Sequence, residues 1–103
     1  MPAQLTLLYP APTDVEFDME YYLEKHMPVV WKAWAPRGLD SYCVVDVEHD
    51  SGYCAECIMT WDCTASFKKA MDIKDEVEIL FGDIKNFANV SPVVILGTVV
   101  GTN

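Results

Sequence analysis

Apolar and polar positions change their spacing several times along the chain, and each change marks an element. Residues 4–9 are β-like, with Leu5, Leu7, Leu8 and Tyr9 apolar, and stop at the loop Pro10-Ala11-Pro12-Thr13. From Asp18, whose carboxylate suits a helix start, steps of about 100° per residue gather Met19, Tyr22, Leu23, His26, Met27, Val30, Ala33 and Trp34 on one broad face. Glu20, Glu24, Lys25 and Lys32 occupy or border the other side. Pro28 has no N–H to offer the carbonyl of Glu24, so a kink or break is expected there. Pro36-Arg37-Gly38 ends the helix. Residues 39–49 and 53–61 then read as two strands flanking Asp50-Ser51-Gly52, a hairpin with glycine in its turn. A second helix, capped by Asp62 or Thr64, runs through Phe67, Ala70 and Met71, and residues 75–81 continue as a further helical turn or two. Residues 82–87 read as a loop with a short helical turn, and 90–100 as the last strand.

The order is βαββαβ with one hairpin, an α+β class pattern that predicts a ferredoxin-like four-stranded antiparallel sheet with two helices on one face. No repeat, low-complexity tract or linker divides residues 1–103, so one domain is expected. Pro92-Val93-Val94-Ile95-Leu96 is apolar at every position, so both faces of that strand call for burial, and the first strand repeats the feature. Both helices are already assigned to one face. A second copy is expected to cover the other, giving an obligate homodimer through the open sheet face, with two sheets packed as an α+β barrel.

Composition narrows the partners. At 51% hydrophobic the chain can build a core, although a domain of this size buries only about 65% of its unfolded surface. Sixteen acidic against seven basic side chains give a net charge of −9, which repels phosphate backbones and anionic lipid, so neither nucleic acid nor a membrane surface is expected as a partner. No apolar run approaches the roughly 20 residues that span a bilayer, and Met1-Pro2-Ala3-Gln4 with the short run at 5–9 does not read as a signal peptide. A cytoplasmic location with reduced thiols follows as the expectation. Cys54 and Cys57 have C-x-x-C spacing, but strand residues three apart point to opposite faces, so no metal site is expected. Ser41 lacks a G-x-S-x-G context and there is no glycine-rich phosphate loop, so no cofactor is expected.

His26 is the leading candidate for chemistry. It lies mid-way along the apolar helix face, one turn from Tyr22 and Val30, and an imidazole switches between base and acid near neutral pH. In an apolar pocket it can remove a proton from a phenol or an activated methylene. Asp83 can hold its other ring nitrogen and fix the tautomer; alternatively Asp83 caps the short helical turn that follows it. The competing view makes His26 a core residue tied to a backbone carbonyl or to Asp83. Tyr22 and Tyr9 can donate to a developing enolate oxygen, or serve as large core residues. Tyr21 points about 100° away from Tyr22 and is not expected to share its site. Trp34, Trp61, Phe87 and Met59, with Tyr9, are the candidate lining of a pocket for a flat aromatic ligand, although such residues are more often simply core. His49, beside the predicted turn, is expected to be exposed and to have no role.

The segment Phe17-Asp18-Met19-Glu20-Tyr21-Tyr22-Leu23-Glu24-Lys25-His26-Met27-Pro28 resembles the helix-one motif of the EthD family. The resemblance continues through Tyr9-Pro10, Trp34-Ala35-Pro36-Arg37-Gly38-Leu39 and Asp83-Ile84-Lys85-Asn86-Phe87, and covers roughly residues 4–100. It implies a small dimeric α+β barrel, with relatives in polyketide and pigment pathways. Similar barrels include cofactor-free aromatic cyclases, decarboxylases, lactone isomerases and oxygenases. The expectation is a cofactor-independent enzyme on an apolar aromatic or polyketide-like metabolite, of cyclase, dehydratase, decarboxylase or isomerase type. His26 would be its general acid/base, Asp83 the orienter and Tyr22 the hydroxyl partner. The alternative is a non-catalytic hydrophobic-ligand-binding or accessory protein supporting an oxygenase system, and a third option places haem on His26. A cavity of about 300 Å³ or more with a His26–Asp83 pair at its wall would favour the enzyme, and a filled barrel with His26 tied to backbone the structural or accessory role.

Overall fold

In the computed structural model, which describes residues 1–103, β1 (Ala3–Pro10) follows its alternating pattern: Ala3, Leu5, Leu7 and Tyr9 are buried and the residues between them less so. The first helical run consists of α1 (Met19–Tyr21), a π-helical turn (Tyr22–His26) and α2 (Met27–Trp34), followed by a 3₁₀ turn (Ala35–Arg37). The hairpin β2 (Leu39–Asp46) and β3 (Tyr53–Trp61) comes next, then α3 (Thr64–Met71), α4 (Lys74–Gly82), a 3₁₀ turn (Asp83–Asn86) and β4 (Val93–Thr98). The four strands form one antiparallel sheet in the order β2-β3-β1-β4, the ferredoxin-like arrangement. The hairpin closes earlier than its apolar run suggests, because a 3₁₀ turn (His49–Ser51) and Gly52, at φ +92°, take over the chain reversal. β4 is shorter than residues 90–100: its pairing with β1 runs from Leu8↔Val93 to Ala3↔Thr98, and Pro92 has no N–H to extend it.

The register sorts the two faces. Leu5 lies opposite Met59 and Leu96, and Leu7 opposite Cys57 and Val94, on the side covered by helices. Thr6 lies opposite Ile58 and Ile95, and Leu8 opposite Glu56 and Val93, on the side no helix covers. The expected burial of both faces of β4 is not met within one chain: Val93, Val94 and Ile95 are 42%, 44% and 51% exposed.

The first helical run departs from the sequence expectation in one informative way. Asp18 caps it as anticipated, accepting from the Tyr21 N–H at 3.0 Å. Pro28 does not break it. The ladder widens instead, and the Met27 N–H bonds the carbonyl of Tyr22, five residues back. A proline ring crowds the carbonyl four residues before it, and a widened turn relieves that crowding without ending the helix. The local rotation turns Leu23, expected on the buried face, out to 48% exposure. Tyr22, His26, Met27, Val30 and Trp34 remain buried.

Neither Asp62 nor Thr64 is the N-cap of α3. Cys63 is the N-cap residue and has no side-chain cap bond, while the Asp62 carboxylate accepts from the Cys63 N–H at 2.7 Å. α4 buries Leu80 alone among its residues, and an Arg37–Glu76 fork (2.9 and 3.2 Å) ties it to the end of the first helical run. All four cysteines are free, and no helix is long and apolar enough to cross a membrane.

Candidate active site

His26 is the last residue of the π turn and is 6% exposed. Its neighbourhood follows from that turn. In a regular α-helix, residues five apart stand about 140° from each other, so Tyr21 and His26 would diverge. Where the bonds run from i to i+5, residues five apart stand only about 50° from each other, on one side of the helix. Both side chains therefore reach the same carboxylate, Asp83, from the far end of the chain. The Tyr21 hydroxyl donates to Oδ1 at 2.7 Å, and His26 Nδ1 lies 2.9 Å from Oδ2. Asn86 Nδ2 is the carboxylate's third partner and the second donor to Oδ1, at 2.8 Å. Tyr21, expected to stay apart from this site, is thus a direct partner of it. Asp83 does not N-cap the turn that follows; Gly82 holds that position, and Asp83 is the C-cap of α4.

The electrostatics fix the proton inventory. Burial pushes the Asp83 carboxyl upward, but hydrogen bonds from Asn86, Tyr21 and His26 outweigh it, so Asp83 titrates below the ordinary carboxylate range. Burial lowers His26 below its usual 6.5, and the Asp83 bond only partly opposes this. At neutral pH the pair is a carboxylate and a neutral imidazole. An ionised carboxylate can only accept, so the imidazole proton sits on Nδ1 and the Nε2 lone pair is free. The ring is clamped by Tyr22, stacked at 5.3 Å, and by Phe87, tilted at 4.7 Å.

Deeper in the core, the Tyr22 hydroxyl meets the Tyr9 hydroxyl and the Cys57 thiol. Burial drives both phenols far above their ordinary range and pushes the Cys57 thiol up to about 11. All three stay protonated, so Tyr22 can act as a hydrogen-bond donor and Cys57 is not a thiolate nucleophile.

Beside the imidazole lies a cavity of about 20 Å³, room for a single water and far below the volume expected for a bound metabolite. It sits between the helices and the sheet, on the covered face, and not in the space that two facing sheets would enclose. Of the sequence candidates, Tyr9, Tyr22, Trp34 and Met59 line it. Trp61 and Phe87 do not. Trp61 is fully buried and packs at 5.4 Å on Trp34 and on Phe67, and Phe87 lies against His26 and Tyr22. As it stands the cavity has no room for a haem on His26. The cavity has thin walls. Leu80 and His26 separate it from a groove of about 200 Å³ bordered by Lys25, Val29, Ile79 and Asp83. Phe81 and Ile84 separate it from a groove of about 670 Å³ that runs along residues 88–92 to Val94. Sequence reasoning missed Tyr21, Leu80 and Ile84. The signal for Tyr21 was present, as a proline two residues after the histidine, in a helix long enough to absorb it by widening.

No family model matches the chain, and no curated protein matches it. Solved structures do. An EthD-like protein from Ralstonia eutropha JMP134 superposes with a TM-score of 0.82 at 24% identity, over 99% of this chain and 95% of that one. An ethyl tert-butyl ether degradation (EthD) family protein from Bacillus halodurans C-125 gives 0.70 at 25% identity, over 97% and 100%. A dimeric ferredoxin-like protein from an uncultured marine organism gives 0.67 at 14% identity, over 100% and 98%. The fold is that of the EthD-like proteins, from end to end of the chain.

Proposed function

We propose that this EthD-like chain is a cofactor-independent enzyme that moves protons on an apolar, aromatic or polyketide-like metabolite. The observation that carries the reading is the His26–Asp83 bond, which commits Nδ1 and leaves the Nε2 lone pair as a base in apolar surroundings. Nε2 takes a proton from an activated C–H or O–H, and Asp83 stabilises the resulting imidazolium. The Tyr22 hydroxyl donates to the enolate oxygen, and return of the proton to a different atom completes an isomerisation, cyclisation or dehydration. Substrate reaches Nε2 when the wall of Leu80, Phe81 and Ile84 gives way, since the resting cavity holds no more than a water. Incubating the protein in D₂O with a panel of cyclic and aryl 1,3-diketones, and reading deuterium uptake by mass spectrometry, tests this directly. Exchange faster than in buffer, and lost in His26→Ala, is the expected result. Binding with no acceleration for any member would instead support the second reading, a non-catalytic carrier or accessory protein, which the small volume of the cavity favours.

The same reading includes a homodimer through the open sheet face. Val93 and Ile95 are about half exposed there, in line with the partly covered Leu8 and Ile58, and such an apolar strip is normally covered in solution. Sedimentation at micromolar concentration is expected to return twice the 11.6 kDa of the chain. A monomer mass would remove the dimer from the account.

A further inference from the structure

We propose that Tyr21 is a positioning residue for His26, acting through Asp83. The inference rests on the reading of His26 as a base and adds what holds that base in its working form. Asp83 stands at the C-cap of α4, an element that buries one residue, and its side chain is 24% exposed. Left to itself, a carboxylate at such a place turns about its χ angles and exchanges partners with water. Two bonds to Oδ1 hold it. The bond from Asn86 comes from the same 3₁₀ turn, three residues on, so it travels with Asp83 and fixes nothing relative to the imidazole. The bond from Tyr21 is different. It starts on the helical run that carries His26, and apart from the His26 bond itself it is the one side-chain hydrogen bond from that run to Asp83.

An O–H donating to a carboxylate is charge-assisted and correspondingly strong. The Tyr21 ring is itself held, stacked against Phe87 at 6.2 Å with the Lys25 ammonium 5.8 Å from its centroid. With Oδ1 pinned by Tyr21, Oδ2 is left facing Nδ1, and the imidazole is confined to the Nδ1–H tautomer. The π turn makes this possible, because it brings residues 21 and 26 onto one side of the helix. Its function in this site is to place the base and the clamp of its orienter side by side.

The test uses ¹⁵N-histidine-labelled protein. The chain has two histidines, and exposed His49 serves as the internal reference. Wild type is expected to show His26 as the Nδ1–H tautomer. Tyr21→Phe keeps the ring and its stacking and removes only the donor; it is expected to show the Nε2–H form alongside, approaching the pattern of Asp83→Ala. The rate of deuterium uptake by a responsive 1,3-diketone should fall in parallel. A Tyr21→Phe protein whose His26 remains wholly Nδ1–H overturns the proposal, whatever its melting temperature, because a merely structural hydroxyl changes stability and not tautomer. The tautomer is read on resting protein, so it stands or falls separately from the base role, which His26→Ala tests by exchange.

Discussion

Replacing His26 with alanine is expected to lower the catalysed proton transfer by about 10²–10⁴, the usual contribution of a positioned general base. His26 is the one imidazole in the core; its Nδ1 is committed to Asp83 at 2.9 Å, and the neighbouring titratable groups Tyr9, Tyr22 and Cys57 are all held protonated by burial. None of them can replace it as a base at neutral pH. The fold should survive the change. Asp83 keeps its bonds from Tyr21 and Asn86 and is partly solvated, so losing the His26 bond costs no more than ~1–3 kcal/mol, to which the lost packing of the ring against Tyr22 and Phe87 adds. Kinetics and unfolding on the same variant therefore separate the two readings of the site. A rate within about threefold of wild type would mean that His26 is a structural tie.

The largest expected stability effect away from the site is at Gly38. Its φ of +122° is one that side chains rarely adopt, and it lets the chain turn from the 3₁₀ turn (Ala35–Arg37) into β2. An added Cβ would lie 2.6 Å from Asp62 Oδ1 and 2.9 Å from Ser66 Cβ. Neither neighbour is free to leave. The Asp62 carboxylate is engaged by the Cys63 N–H, the Asp62 N–H donates to the Gly38 carbonyl at 2.9 Å, and Ser66 is fixed in α3. Strain and overpacking add, so Gly38→Ala is expected to cost about 2–5 kcal/mol. For a domain of this size that is a fall in melting temperature of roughly 10–30 °C. Gly52 is the control: its φ is +92°, but a Cβ there meets nothing within 4 Å, so Gly52→Ala should cost about 1–2 kcal/mol from backbone strain alone. Equal losses at the two positions would show that the contacts around Gly38 relax freely.

Much of the fold was legible because its signals are local and periodic. The alternation in β1, the glycine-containing hairpin and the apolar run before Trp34 each depend on neighbours in sequence, and their order alone selects a split βαβ arrangement. The candidate site was legible in part. His26 could be placed on the buried face, and Asp83 named as its partner, since 100° steps hold well enough over one turn. They fail across the widened turn before Pro28, which is why Leu23 was placed inside and Tyr21 outside the site. The lining residues were harder. Trp61 and Phe87 are as aromatic as Trp34, and nothing local distinguishes a ring that meets the cavity from one that packs behind it. The closing of the cavity by Leu80, Phe81 and Ile84 is likewise a matter of how α4 lies over the sheet.

The central claim is that His26 is a neutral base with a free Nε2, and an NMR pH titration of its ring nitrogens tests it most directly. Burial lowers its pKa, so the unfolded chain binds the proton first on acidification and the fold should lose stability as the pH drops below about 6.5. The account predicts a His26 midpoint below 6.5 and, above that midpoint, a proton on Nδ1 alone. A midpoint above 6.5, or a neutral ring protonated on Nε2, would contradict it.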